Sequence, residues 1–195
     1  MLEEEYERRR TLPAHLRKQP EPEPPFSFVV REAVDRDLPD VREIYNHYVA
    51  NSTVTFDESP WTLAALRTKF ARVRELGYPF LVAESPNGVV LGFAYVYPWK
   101  EKAAYRFTVE NSIYLGPAST GKGLGTALMR QLLDRAKAAG VKEVIAVIAD
   151  RGAEGSIALH ERFGFEKTGS MGRVGFKFGR WLGVVMMQKS LSRRR

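Results

Sequence analysis

The segment from Glu110 to Ala139 constrains the fold of this chain most, because it joins three different patterns. The residues around Ile113 are strand formers and predict a β-strand. The middle is a turn with alternate glycines, and the last part is an amphipathic helix with leucines four residues apart. The glycines are Gly121, Gly123 and Gly125, and the leucines are Leu124, Leu128 and Leu132. A helix start behind such a turn predicts an anion site, because its first N–H groups lack internal partners and its dipole is positive there.

The same turn comes within one residue of the nucleotide-binding P-loop, Gly-x4-Gly-Lys-Ser/Thr. A later apolar run followed by Asp150 resembles the strand and aspartate that hold Mg²⁺ in P-loop proteins. However, Gly123 stands where the P-loop needs a hydroxyl. The turn also lies in the second half of the chain, which leaves about half of a usual domain length for the rest of a nucleotidase sheet. The preceding elements predict hairpins rather than βαβ units, so a metal-free pyrophosphate site is favoured over a P-loop.

The periodicity along the chain predicts the element order β-α-α-β-β-β-α-β-α-β-β, an α/β (α+β) mixed sheet with helices on both faces. The predicted strands are 28–34, 78–84, 89–97, 106–115, 143–149, 165–172 and 181–189. The predicted helices start near Asp37 or Asp40, at Trp61, at the glycine turn and at Glu154. Residues 173–180 are expected to connect the last two strands, and the first helix is expected to be capped by one of the two aspartates.

Composition limits the location and partners of the protein. Its 195 residues suit one domain. We predict a flexible, charged Pro/Glu-rich extension at 1–25, a domain at 26–191 and a basic tail at 192–195. The chain has no Cys, which excludes disulfides and thiolate metal sites. No segment is typical of a signal peptide or a membrane span. The net charge of +7 comes without interleaved basic and aromatic residues, so we expect a cytoplasmic protein that binds neither nucleic acid nor membrane.

Several blocks of sequence, in order, resemble the GCN5-related N-acetyltransferases. Thr120 to Gly125 and the helix behind it resemble that superfamily's Gln/Arg-x-x-Gly-x-Gly/Ala motif. The resemblance is closer still to the phosphinothricin and methionine sulfoximine acetyltransferases and spans residues 28–191. It is carried by residues 46–48, 51–56, 98–100, 104–105, 108–114, 159–165 and 175–181. It implies that superfamily's fold, acetyl-CoA as co-substrate without a metal, a small amine as acceptor, and a homodimer.

The resemblance also assigns roles to residues. Glu110 is expected to be the base that accepts a proton from the acceptor amine, and His160 the acid that protonates the leaving thiolate. The open alternatives are a carboxylate paired with a nearby cation and a histidine with purely local hydrogen bonds. The backbone of Ile113, Tyr114 and Leu115 would hold the pantetheine arm and polarise the thioester carbonyl. The remaining residues expected to bind acetyl-CoA are Thr120, Gly121, Lys122, Gly123, Leu124, Gly125, Thr126, Ser156 and His160.

An acceptor with a carboxylate would need a cation near its site. The residues expected to bind the acceptor are Lys100, Lys102, Tyr105 and Arg106, with Thr53, Phe56, Lys177 and Trp181 as further wall residues. A solvated basic loop is the alternative for the first group. The sequence departs from the family pattern at Thr120, at Ala153 (usually Asn) and at Lys102 (usually Arg).

Together these observations support the hypothesis of an acetyl-CoA-dependent N-acetyltransferase. The amino group of a small amino-acid analogue, of the phosphinothricin or methionine sulfoximine/sulfone type, would attack directly in a ternary complex, because no activated nucleophile is evident for a covalent intermediate. Two alternatives stay open. One is acetylation of a protein N-terminus or another amine, and the other is a catalytically weak acyl-CoA-binding module.

Overall fold

The computed structural model describes residues 26–192, whose centre is a seven-stranded mixed sheet in the order β1-β2-β3-β4-β5-β7-β6. The strands are β1 (Val29–Glu32), β2 (Phe80–Glu84), β3 (Val90–Pro98), β4 (Thr108–Leu115), β5 (Glu143–Ala149), β6 (Glu166–Lys177) and β7 (Arg180–Ser190). The helices are α1 (Leu38–Asn51), α2 (Leu63–Glu75), α3 (Leu124–Ala138) and α4 (Glu154–Arg162). The predicted element order and the mixed sheet are therefore confirmed. The predicted extension 1–25 and residues 193–195 of the predicted tail lie outside the described residues.

Local sequence accounts for most element boundaries. The Thr62 hydroxyl caps α2 by accepting a hydrogen bond from the backbone N–H of Ala65 at 3.1 Å. Gly77, with φ +68°, lets the chain leave α2. The first helix differs from expectation, because Asp37 occupies the cap position without a side-chain cap bond. Its carboxylate is instead bound by Arg31 and by the backbone N–H of Val34.

The prediction for residues 173–180 was wrong. β6 continues to Lys177 and pairs with β7 down to a tight turn. Its register shifts between Met171 and Gly175, and Arg173 lies in the left-handed region at φ +54°. This irregularity breaks the side-chain alternation that identifies a strand from sequence.

β4 and β5 form the one parallel pair within the described sheet, and they stay paired over a short distance only. Thr108, Val109 and Glu110 of β4 pair with Glu143, Val144 and Ile145 of β5. Beyond Glu110 the two strands diverge, although each continues for several residues. The sheet therefore contains a wedge-shaped opening between its fourth and fifth strands.

Each face of the sheet carries its own core. The helices α1 and α2 cover one face, where Leu66, Phe70 and Phe93 are buried. The helix α3 covers the other face with Leu128 and Leu132, which are fully buried. Because successive side chains of a strand point to opposite faces, the alternation along β4 decides which core each residue meets. No helix within 26–192 is long and apolar enough to cross a membrane.

Candidate active site

A cleft of about 670 Å³ fills the wedge between β4 and β5. Its walls are residues 110–115 of β4 and 146–148 of β5. The glycine turn and the start of α3 close one end, and α4 with the turn before it closes another. The sheet, the helix start and the predicted base thus meet in one cavity.

Alternation of the backbone determines which groups of β4 face the cleft. The N–H of Gly116 donates to Leu91 O at 2.8 Å, and the N–H of Trp99 donates to Thr108 O at 3.1 Å. In an antiparallel ladder such bonds recur at every second residue, so the backbone of Ser112 and Tyr114 faces β3. The backbone of Ile113 and Leu115 faces the cleft. The expected donation from the Tyr114 N–H therefore does not fit this register, whereas donation from Ile113 and Leu115 does.

The α3 N-terminus supplies unpaired backbone donors to the cleft. Gly121 and Gly123 have φ +75° and +85°, and Gly123 is the N-cap, where no side chain caps the helix. The first N–H groups of α3, from Leu124 onward, have no partner within the helix. The Leu124 side chain is fully buried, so only its backbone can serve a ligand. Gly125 lies 3.4 Å from a Leu159 methyl group, measured from where its Cβ would be, which brings α3 close to α4.

Thr120 and Thr126 also line the cleft, as expected, but Lys122 does not. The Lys122 ammonium lies 4.6 Å from the centre of the Phe26 ring, outside the cleft. The positive potential at this end of the cleft therefore comes from the helix start rather than from a lysine side chain.

Glu110 lies at the apex of the wedge, and its carboxylate has no hydrogen-bond or ion-pair partner among residues 26–192. Burial raises the pKa of Glu110, and the positive charges of Lys69 and Lys100 oppose that rise. An unpaired, partly desolvated carboxylate in a cleft is suited to accept a proton. The alternative of a carboxylate neutralised by direct contact with a cation is not what the structure shows.

A polar and aromatic wall stands on the α1–α2 side of Glu110. The Tyr45 hydroxyl donates to Asp57 at 2.7 Å and lies 2.8 Å from the Thr55 hydroxyl. The indole N–H of Trp61 donates to the same carboxylate at 3.0 Å. Tyr45 stacks on Trp61 at 3.8 Å and meets the edge of Tyr114 at 5.1 Å. These bonds fix Asp57, which no sequence motif had identified.

His160 is 2% exposed and both of its ring nitrogens are engaged. Nδ1 lies 2.7 Å from the Ser156 carbonyl, which can only accept, so Nδ1 carries a proton. Nε2 lies 2.9 Å from the amide nitrogen of Asn111 and accepts from it. Burial lowers the pKa of His160. In this arrangement no imidazole proton is directed into the cleft, so the local structural role fits the geometry better than the predicted acid role.

The buried state of His160 predicts a specific pH dependence of stability. Because its pKa falls on folding, its contribution is complete above the ordinary value of 6.5 and is lost as the pH falls below it. We expect the free energy of unfolding of the wild type, relative to His160→Gln, to fall between pH 6.5 and the lowered pKa of the folded state, at no more than about 1.4 kcal/mol per pH unit. Urea unfolding between pH 7.5 and 5.5 measures this. A difference between wild type and His160→Gln that stays constant from pH 7.5 to 5.5 would contradict this assignment.

The residues expected to bind the acceptor are divided between the site and its surroundings. Lys100 is exposed, lies over the Trp99 ring at 4.6 Å and acts electrostatically on Glu110. Lys102, Tyr105 and Arg106 are exposed on the loop between β3 and β4. They do not line the cleft.

Of the four other predicted wall residues, three lie where the 52–60 loop meets β6, and Trp181 lies apart from them. Thr53 is buried, and Phe56 covers Gly175 so closely that a Cβ there would lie 2.5 Å from its ring. Lys177 is 2% exposed, and its ammonium donates to Ser52 O at 2.8 Å and to Thr55 O at 2.9 Å. Trp181 is 52% exposed on the far hairpin. Lys177 thus anchors the loop that carries Asp57 instead of presenting a free cation.

Removal of the Lys177 ammonium should destabilise the protein. Lys177→Met keeps the length of the side chain but leaves one buried carbonyl (Thr55) and one partly buried carbonyl (Ser52) without their donor, which costs about 2–4 kcal/mol. Chemical denaturation of wild type and variant measures the difference. Lys167→Met is the matched control, since Lys167 is exposed on the same strand and its replacement should change stability by less than about 0.5 kcal/mol.

Sequence reasoning missed Asn111 and Lys69. Asn111 is 7% exposed, and its side-chain carbonyl oxygen has no partner among residues 26–192. Lys69 belongs to α2 and stands three residues after the buried Leu66 and four before the buried Val73. That spacing places it on the inner side of the helix and was the available signal. Within 26–192, no group of three His, Asp or Glu side chains is placed to hold a metal ion.

The comparison with protein families gives a single decisive result. The sequence pattern described as "Acetyltransferase (GNAT) family" matches residues 41–165. The chain belongs to the GNAT family of acetyltransferases. The chain is an acetyl-CoA-dependent N-acetyltransferase, as its family and its most similar relatives show.

Named relatives of this GNAT chain share most of its length. An L-methionine sulfoximine/L-methionine sulfone acetyltransferase of Pseudomonas paraeruginosa is 44% identical over 85% of this chain and 96% of its own. A phosphinothricin N-acetyltransferase of Alcaligenes faecalis is 40% identical over 84% of this chain and 82% of its own. The crystal structure of a phosphinothricin acetyltransferase from Sinorhizobium meliloti in complex with acetyl-CoA has a TM-score of 0.81 and 43% identity, covering 85% of this chain and 89% of that one.

Proposed function

We propose that this GNAT enzyme acetylates the amino group of a small amino-acid analogue of the phosphinothricin or methionine sulfoximine/sulfone type. The observation that carries the proposal is the unpaired carboxylate of Glu110 at the apex of the cleft. It lies between the cleft-facing backbone of β4 and the aromatic wall around Asp57. The names of the relatives support the choice of acceptor.

The residues of the cleft fit acetyl-CoA. The unpartnered N–H groups of α3 suit a pyrophosphate, and Gly121 and Gly123 let the backbone approach it closely. The cleft-facing backbone of Ile113 suits the amide-bearing pantetheine arm. Acetyl-CoA supplies an acetyl thioester, and the proposal needs no metal. We further propose that Thr120, Thr126 and Ser156, which line the cleft, contact it.

In the proposed reaction Glu110 takes a proton from the acceptor ammonium, which frees the nitrogen lone pair for attack. The N–H groups of Ile113 and Leu115 face the cleft and can stabilise negative charge that develops on the carbonyl oxygen. The C–N bond forms and gives a tetrahedral intermediate whose nitrogen still carries one proton too many. The C–S bond then breaks, and the leaving thiolate takes up that second proton from the nitrogen, which yields the amide and free CoA. The chain has no Cys to form an acyl-thioester intermediate, so we propose direct attack in a ternary complex.

Incubation with acetyl-CoA and a panel of amines, with release of free thiol as the signal, tests the proposal. The panel contains phosphinothricin, methionine sulfoximine, methionine sulfone, common amino acids and a peptide with a free N-terminal alanine. We expect the analogues to give the highest kcat/KM. Preference for the peptide would favour the N-terminal acetyltransferase alternative. Acetyl-CoA binding without turnover of any amine would favour the weak binding module.

We also propose a cytoplasmic homodimer. The dimer is supported by the exposed apolar surface of the β6–β7 hairpin, where Met171, Phe176, Phe178 and Trp181 are each about half exposed. Arg173 lies over the Trp181 ring at 5.0 Å and borders this surface. Light scattering gives the oligomeric state, and a monomer at micromolar concentration would contradict the proposal. Expression in a phosphinothricin-sensitive bacterium tests herbicide resistance.

A further inference from the structure

Lys69 is a cation in an aromatic enclosure on the inner side of α2. Its ammonium lies 4.6 Å from the centre of the Tyr97 ring, 5.3 Å from Trp61 and 5.5 Å from Tyr95. It is partly buried, and the rings hold it through cation–π contacts.

The Lys69 ammonium has no carboxylate within 4.0 Å among residues 26–192. Burial lowers its pKa, while the negative charges of Asp57 and Glu110 act from a greater distance and oppose that shift. Asp57 is already bound by Tyr45 and Trp61. The enclosure therefore contains a partly desolvated positive charge without a direct counter-ion.

The register of the sheet places this charge beside the base. Tyr97, the ring nearest to the ammonium, is directly opposite Glu110 in the β3–β4 pair. Residues directly opposite each other in an antiparallel pair project from the same face. Lys69 and Glu110 therefore border the same space on the α1–α2 side of the sheet.

We propose that Lys69 is the subsite for the acidic group of the acceptor, and that its ammonium binds a carboxylate while Glu110 meets the amino group. The inference rests on the proposed function and deepens it. An α-amino acid carries both groups on one carbon, so a cation and a base that share one space suit that substrate class. Lys100, Lys102 and Arg106 are exposed, where solvent and salt weaken an ion pair more than in a buried enclosure.

Removal of the charge should discriminate between acceptors. Lys69→Met retains the aliphatic stem and removes the ammonium. We expect KM for methionine sulfone to rise about 30-fold, in the range of a lost charge-assisted bond, with kcat changed less than about threefold. For 3-(methylsulfonyl)propan-1-amine, which lacks the carboxylate, kcat/KM should stay within about threefold of wild type. Lys69→Arg should recover part of the loss, because it restores the charge.

The controls separate a carboxylate subsite from a general effect of helix charge and from an indirect effect on the base. Arg67→Met removes an exposed charge from the same helix and should leave kcat/KM unchanged for both acceptors. An equal loss of kcat/KM for both acceptors in Lys69→Met would mean that Lys69 acts only through Glu110 and would overturn the subsite. An unchanged kcat/KM for both acceptors in Lys69→Met would also overturn the subsite.

Failure of the proposed function gives a different result from failure of the subsite. If the wild type acetylates no amine, the proposed function fails, and calorimetric binding of methionine sulfone to the CoA-bound enzyme becomes the readout. Weaker binding in Lys69→Met than in Arg67→Met would then uphold the subsite. Equal binding by both variants, or no binding by the wild type, would refute it.

Discussion

Replacement of Glu110 by Gln is expected to lower kcat by about 10²–10⁴-fold at pH 7.5, the range of a lost general base. Gln has nearly the same shape but cannot accept the proton from the acceptor ammonium. The KM for acetyl-CoA should change little, because the carboxylate lies at the apex of the wedge while the anion site lies at the start of α3. Steady-state kinetics with free thiol as the signal measure both constants. Glu43→Gln, on the exposed side of α1, should leave them unchanged.

The pH profile provides an independent test of Glu110. Burial raises its pKa above the ordinary 4.5, and the base works only when ionised. The wild-type kcat/KM should therefore fall as the pH drops through a value above 4.5, and this limb should be missing from the residual activity of Glu110→Gln. Because folding raises this pKa, the ionised carboxylate opposes folding at neutral pH. The variant should consequently be at least as stable as wild type, and a rate near wild type at pH 7.5 would exclude Glu110 as the base.

The second large effect is expected from Thr126→Asp in the first turn of α3. A carboxylate is favourable for a helix N-terminus and should maintain or raise the melting temperature. It would also repel a pyrophosphate, at about 3 kcal/mol for a unit charge 5 Å away with an effective dielectric constant of 20. We expect KM for acetyl-CoA to rise at least about 100-fold, which corresponds to about 2.7 kcal/mol. Kinetics and thermal unfolding of the same preparation measure both effects.

Thr126→Asn is the matched control, because it is nearly isosteric with Asp and uncharged. It should keep KM for acetyl-CoA within about fivefold of wild type, which is far less than the rise expected from adding one unit charge. A similar loss in both variants would mean that shape rather than charge matters at this position. An unchanged KM in Thr126→Asp would place the anion elsewhere and would contradict the proposed cradle.

The fold was predictable where its signals are local. The helix α4 and the strand β5 occupy the predicted residues, because Gly164 marks the end of α4 and an apolar run defines β5. The hairpin at Gly88, with φ +80°, follows from an Asn-Gly pair. β6 was predicted to end too early, since the register shift around Arg173 is set by its pairing with β7 and leaves no periodic pattern in the sequence.

The candidate site was predictable only where its residues are close together in the sequence. The glycine turn and Glu110 belong to one continuous segment, so one motif could identify both. Lys69 and Asn111 act across the fold, through rings on β3 and an imidazole on α4, and no local pattern encodes those contacts. The charge of Lys177 suggested a residue that binds the acceptor. Its ammonium instead binds two backbone carbonyls of the chain, a contact that the sequence does not reveal.

The wedge between β4 and β5 has a consequence for self-association. An unpaired strand edge normally invites another polypeptide to add to the sheet, which is a common start of aggregation. Here the open edge of β4 is inside the sheet, and β5 pairs with it directly at Glu110. A foreign strand would need about 9.5 Å between its two neighbours, twice the normal spacing, and the wedge begins at a single spacing. The protein can therefore leave hydrogen-bonding groups exposed for a slender ligand and still deny them to another polypeptide chain.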